Sequence, residues 1–125
     1  MTHDRQRARR RGRWSETLCV WHLRLRGWSI LERGFSVGRG SGVGEVDIIA
    51  RRGAVLIFVE VKARADWGQA AEAIGDRQRR RITRAAEAYL AAHPKLANAA
   101  IRFDAMLVTP GRWPVHLIDA WRAGH

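Results

Sequence analysis

Residues 44–64, GEVDIIARRGAVLIFVEVKAR, hold two apolar runs joined by a short basic turn. Val- and Ile-rich runs of this length read as strands, here at 45–50 and 55–63. Their apolar residues occupy both faces, so each strand is expected to lie between covering layers. Asp47, Glu60 and Lys62 interrupt these runs with charge. Burying an unpaired carboxylate is costly, so each of these residues needs a partner or a purpose.

The rest of the chain supplies the layers. Trp14, Leu18, Trp21 and Leu25 recur at helical spacing, and Cys19, Val20 and Leu23 form a second apolar face. Gly27 reads as the stop of this helix. WSILERGFSV alternates as a first strand, and GRGSGVG, residues 38–44, reads as a loop. That loop lacks the Gly-Lys-Ser/Thr ending of a phosphate-cradling turn. Residues 66–75 fit no single element, because Gly68 and Gly75 argue against one continuous helix. Asp76 to His93 reads as a helix with Ile82, Ala85, Ala86 and Tyr89 on one side, ended by Pro94. Two strands follow at about 101–109 and 115–119, split by PGRWP. The order predicts an α/β domain over 14–125, built on a central mixed sheet of about five strands flanked by helices. Residues 1–13, MTHDRQRARRRGR, read as a disordered basic arm.

Strand geometry sharpens the question of the charges. Alternation puts Glu60 and Lys62 on one face. A turn with an even number of loop residues pairs positions whose numbers sum to an odd value. Asp47 then lies opposite or diagonal to Glu60, whereas an odd-length turn would separate them. Two converging carboxylates repel when both are ionised, so they need a shared proton or a cation. Hard oxygen donors at a half-open position suit Mg²⁺ or Mn²⁺, which use few protein ligands. Lys62 would then position water or offset charge on a phosphate, and metal-assisted phosphodiester hydrolysis fits the set. The chain has 21 Arg but only two Lys, Lys62 and Lys95. A point-like ammonium beside Glu60 is chemically distinct from a planar guanidinium. On the residues alone a second reading stays open, a Glu60–Lys62 salt bridge at the strand end.

The net charge of +11 favours a polyanionic partner, most simply nucleic acid, over a merely solubilising surface. No apolar stretch is long enough to span a bilayer, and residues 1–13 carry no secretory apolar run. A lone Cys19 excludes an internal disulfide, and a reducing cytoplasm is the expectation. The five histidines lack zinc-ligand spacing. Most of the six tryptophans fall at core-like positions, with Trp67 and Trp113 the candidates for base stacking. Asp104 reads as a partner of Arg102 or a strand-edge cap. Arg77, Arg79, Arg80, Arg81 and Arg84 crowd one helix start as a basic ridge that can grip phosphates, joined by Arg64.

GEVDIIA followed by FVEVKAR, together with GRWSETLCVWHLRLRGWSIL, RQRRRITRAAEAYL and RFDAMLV, resembles the YraN family of small bacterial proteins. That family is described as Holliday-junction-resolvase-like, within the PD-(D/E)XK nuclease superfamily, and the resemblance runs from about Gly12 to Trp121. It implies a restriction-endonuclease-like core and a Mg²⁺-dependent (or Mn²⁺-dependent) nuclease acting on DNA, with branched or junction DNA among its substrates. Asp47 and Glu60 would be metal ligands, Val61 would offer its main-chain carbonyl, and Lys62 would activate water. Glu16 matches an acidic position in the first helix that completes the site in many relatives, although it also reads as a helix-start charge. The chain departs from the pattern at Gln78, where relatives commonly carry lysine. Gln78 would bond a phosphate, water or carboxylate, or serve as a helix-start polar residue. A homodimer is expected by analogy with resolvases on two-fold substrates. The alternatives are a non-catalytic nucleic-acid-binding protein on the same fold and a basic protein that docks on an acidic partner.

Overall fold

Helix α1 (Thr2–Leu25) leads into strands β1 (Ser29–Val37), β2 (Gly44–Arg52) and β3 (Val55–Ala63). Helix α2 (Asp76–Ala92) and a 3₁₀ turn (Pro94–Leu96) carry the chain to β4 (Ala100–Val108) and β5 (Val115–Trp121). The computed structural model describes residues 2–38, 44–63 and 75–122, and of residues 2–13 and 76 the backbone alone. Most of the 38–44 loop and of the ambiguous 66–75 segment, with Arg64 and Trp67, lies outside these described residues.

One sheet runs in the order β1-β2-β3-β4-β5. Only β3 and β4 pair in parallel, so the sheet is mixed, as expected. Their parallel pairing needs a crossover, and α2 lies on that connection. A two-residue turn at Gly53–Ala54 joins β2 to β3, with Gly53 at φ +59, the left-handed conformation that hairpin turns favour. This even-length turn sets Ile48 opposite Val59, the odd-sum register that brings Asp47 toward Glu60.

Each face of the sheet has its own core. Leu56, Phe58, Phe103 and Trp121 pack with Ile82, Ala85, Ala86 and Tyr89 of α2. Ile48, Ala50, Ile57, Val59 and Met106 pack with Cys19, Val20 and Leu23 of α1. Thus α1 turns its Cys19–Val20–Leu23 face inward and leaves Trp14, Trp21 and Leu25 exposed, against the expectation that these tryptophans are core. Small Ser15 and Cys19, both buried, let the helix approach the sheet where a Trp would hold it off. The helix also begins at Thr2 rather than Trp14. The Arg, Ala and Gln residues of the expected disordered arm are good helix formers that continue its first turns. Gly27, at φ +87, ends it where expected, with the Trp28 N–H bonded to the Leu23 carbonyl at 3.0 Å.

Gly44 is where β2 touches α2. A Cβ there would stand 2.7 Å from the Ala85 nitrogen and 2.8 Å from Val37 Cγ2. Backbone cannot yield as a side-chain tip can, so Gly44→Ala should lower stability by roughly 1–3 kcal/mol, the usual cost of overpacking. The midpoint of a urea titration checks this. An unchanged midpoint would mean that α2 is free to shift.

Candidate active site

The functional side chains sit where the sheet opens. β2 and β3 pair only as far as Ile48 and Val59. Beyond that point Gly44–Val46 pair with β1, while Glu60–Ala63 pair with β4. A wedge therefore opens between the two central strands. Val46 packs with the α2-side core and Ile48 with the α1-side core, so side-chain alternation breaks at Asp47 between them.

Asp47 fills the wedge. Its Oδ2 accepts a hydrogen bond from the Val61 N–H at 2.8 Å, taking the place of the lost strand ladder. A strand residue's N–H and C=O project toward the same neighbour, so the Val61 carbonyl also faces the wedge. Glu60, with only 5% of its surface exposed, comes from β3. Its Oε1 accepts a hydrogen bond from the Gln78 amide of α2 at 2.9 Å and lies 3.4 Å from the Lys62 ammonium. Asp47, Glu60, Lys62 and Gln78 are thus brought together, with Val61 between them.

The two acids are costly to leave as they stand. Burial, then the Glu60 charge, pushes Asp47 up to about 7, and its bond from Val61 only partly opposes this. Burial also raises Glu60, against the opposing pull of Lys62 and Gln78. The two carboxyl groups act directly on each other, so a proton on one of them eases the pair. A divalent cation fits in place of that proton: two hard carboxylates and a backbone carbonyl converge on one wedge, leaving positions for water. Among the described residues no third His, Cys, Asp or Glu joins them. Cys19 lies near enough to feel both Asp47 and Glu16, but burial above all pushes its thiol up to about 12, which rules it out as a nucleophile near neutral pH.

Glu16 stands apart from the pair. Its Oε1 accepts from Arg33 Nε of β1 at 3.1 Å, and the same guanidinium reaches Thr17 Oγ1 at 3.0 Å. Its charge also raises Asp47, behind burial and the Glu60 charge in weight. Along α2, Arg77, Arg80 and Arg84 are exposed, whereas Arg79 and Arg81 are half-buried. Arg81 binds Glu45 Oε2 at 2.8 Å, and the buried Nε of Arg79 has no hydrogen-bond partner among the described residues. The ridge therefore shares a helix with Gln78 and its outer part faces solvent. Arg33 and Glu45 were not foreseen, because their partners are 17 and 36 residues away in sequence.

A second polar centre lies on the α1 side of the sheet. Asp104, fully buried, accepts two hydrogen bonds from Arg102 at 2.9 Å, one from His116 Nε2 at 2.7 Å and one from the Asp119 N–H at 2.9 Å. The expected pairing with Arg102 is present. The bond to Asp119 N–H accompanies that residue's φ of +56 and fastens the edge strand. Asp104 is fully occupied in holding β4 to β5.

Comparison with known proteins agrees with the motifs. The model of "Uncharacterised protein family UPF0102" matches residues 15–108. A UPF0102 protein of Paramagnetospirillum magneticum is 54% identical over 117 residues, covering 94% of this chain and 91% of that protein. Those of Maricaulis maris and Parvibaculum lavamentivorans are 44% and 46% identical, covering 99% and 92% of this chain and 94% and 84% of those proteins. The matched span takes in the wedge, Gln78 and the whole of β4, and the chain belongs to the UPF0102 (YraN) family.

Proposed function

We propose that the protein is a divalent-metal-dependent endonuclease that hydrolyses phosphodiester bonds in DNA, branched and junction DNA included. The observation that carries this reading is the meeting of Asp47 and Glu60 in the wedge, with Gln78 and Lys62 both fixed on one Glu60 oxygen. A strand-end salt bridge accounts for Lys62 and Glu60 but gives no reason to bury a second acid against them.

Mg²⁺ or Mn²⁺ bound there supplies Lewis-acid polarisation of the phosphate and acidifies water near neutral pH. Asp47, Glu60 and the Val61 carbonyl would hold the ion. Gln78 fixes the Glu60 carboxylate from α2, so that this ligand does not swing away. Lys62, anchored by Glu60, orients the attacking water and offsets charge that builds on the phosphoryl oxygens. The exposed arginines of α2 hold flanking phosphates, each contact steepening the fall of affinity with salt.

The test is incubation with labelled duplex, flap and four-way DNA in Mg²⁺, Mn²⁺ or EDTA. Metal-dependent cutting that Asp47→Ala abolishes supports the reading. Salt-dependent binding without cutting in either metal would favour the non-catalytic nucleic-acid binder. The absence of any gel shift would favour an acidic protein partner.

A further inference from the structure

The end of β3 that carries Lys62 also borders a cleft on the opposite face of the sheet. Successive strand residues point to opposite faces, so Lys62 turns to the acid pair while Ala63 lines the cleft. About 710 Å³ in volume, it lies between Trp14 and Leu18 of α1, Val108 of β4, and Pro110 and Trp113 of the β4–β5 turn. Trp14 and Trp113 remain 65% and 49% exposed, although each lines this recess. Trp113 is held in place: its ring meets that of His22 at 5.9 Å. The Pro110–Gly111 turn before it is closed by the Arg112 N–H on the Thr109 carbonyl at 3.2 Å, with Gly111 at φ +72.

The same wall contains an unmet polar group. Thr109 is 7% exposed and lines the cleft, yet its Oγ1 has no hydrogen-bond partner among the described residues. A buried hydroxyl left without a partner is destabilising, so its presence points to a ligand with a hydrogen-bonding edge. Two tryptophan faces, a hydroxyl that donates and accepts, and a chain of net charge +11 together describe a receptor for a flat, polar-edged group on a polyanion.

We propose that this cleft binds an unstacked nucleobase of single-stranded DNA. Bases inside a duplex are already stacked and cannot enter, so the cleft selects an unpaired segment. The proposal deepens the nuclease reading, because it names the strand type whose backbone would pass the end of β3 toward Asp47 and Glu60. Base capture itself needs no metal.

The test measures fluorescence anisotropy in EDTA with three labelled probes: a short oligothymidine, the same oligomer with abasic sites throughout, and a duplex of equal length. The parent is expected to bind the oligothymidine about ten-fold more tightly than the abasic strand, the scale of one good base–tryptophan stack. Trp113→Ala and Trp14→Ala should erase that preference while keeping the salt-dependent binding common to all probes. Thr109→Val, which keeps the side-chain shape, should weaken oligothymidine binding alone. Equal binding of the base-bearing and abasic strands by the parent would overturn the proposal, as would a preference that survives both Trp variants. Metal-dependent cutting without base preference would overturn only the cleft. Base preference without cutting in any metal would overturn only the nuclease reading.

Discussion

Asp47→Ala and Glu60→Ala should each reduce metal-dependent DNA cleavage about 10³-fold or more, the scale of removing a group that stabilises charge or moves a proton in the transition state. The ranking of the other positions follows from their contacts. Lys62→Ala should come close to the acids, and Lys62→Arg should not restore activity, because a planar guanidinium cannot replace a compact ammonium 3.4 Å from Glu60. Gln78→Ala frees the Glu60 carboxylate without removing it, so a loss of roughly 10–100-fold is expected, as for other partners that orient a ligand. Glu16→Ala should cost least, since its carboxylate is engaged by Arg33 rather than by the pair. Initial rates on a flap or four-way substrate check the order. A Glu16 effect as large as that of Asp47 would show that the Arg33 pair opens in the working enzyme.

The second large effect concerns stability. Asp104→Ala leaves Arg102, His116 and the Asp119 N–H without their buried acceptor. Breaking a buried ion pair from one side costs about 3–5 kcal/mol, which lowers the melting temperature of a domain this size by roughly 10–20 °C. The pH dependence has a defined sign. Burial alone would raise the Asp104 pKa, but the hydrogen bonds from His116, Arg102 and Asp119 together hold it below its ordinary value of 3.8. An acid with a depressed folded-state pKa stabilises the fold above its unfolded pKa, and that contribution is lost as pH falls through the folded value. The stability gap between parent and variant should therefore be full near neutrality and close as pH drops below about 4. Thermal unfolding at several pH values measures it. Cleavage per folded molecule should stay unchanged, because Asp104 faces the side of the sheet away from Gln78.

What the sequence disclosed and what it hid divide along physical lines. Strand and helix patterns depend on neighbours a few residues apart, so the hairpin and Asp76–Ala92 were legible, whereas the odd register followed only once the turn proved to have two residues. Misplaced charge was legible too, since Asp47 and Glu60 stand out in apolar runs. The inward face of α1 was not, because two apolar stripes compete and only the sheet beneath chooses the one with small Ser15 and Cys19. Nor was the wedge between β2 and β3, which opens because their mutual pairing stops at Ile48 and Val59 while β2 stays on β1 and β3 stays on β4. The bond from Val61 to Asp47 exists only because of that wedge. The cleft that Trp14 and Trp113 both line was equally hidden, for those residues stand at opposite ends of the chain.

The central claim is that the Asp47–Glu60 pair is built around a divalent ion, and a melting-temperature comparison between the parent and Asp47→Asn tests it most directly. With Asp47 raised to about 7, a folded protein held in EDTA above that pH carries two charged acids in one wedge, a cost that grows as pH climbs from the ordinary Asp value of 3.8 to about 7 and is complete beyond it. The neutral amide of Asp47→Asn removes that cost and still accepts from Val61, so the variant should melt higher than the parent in EDTA. On adding Mn²⁺ at about a hundred times its dissociation constant, the parent should gain about 2.7 kcal/mol while the variant gains little, and the order should reverse. Equal responses to Mn²⁺, or a variant less stable than the parent in EDTA, would contradict it.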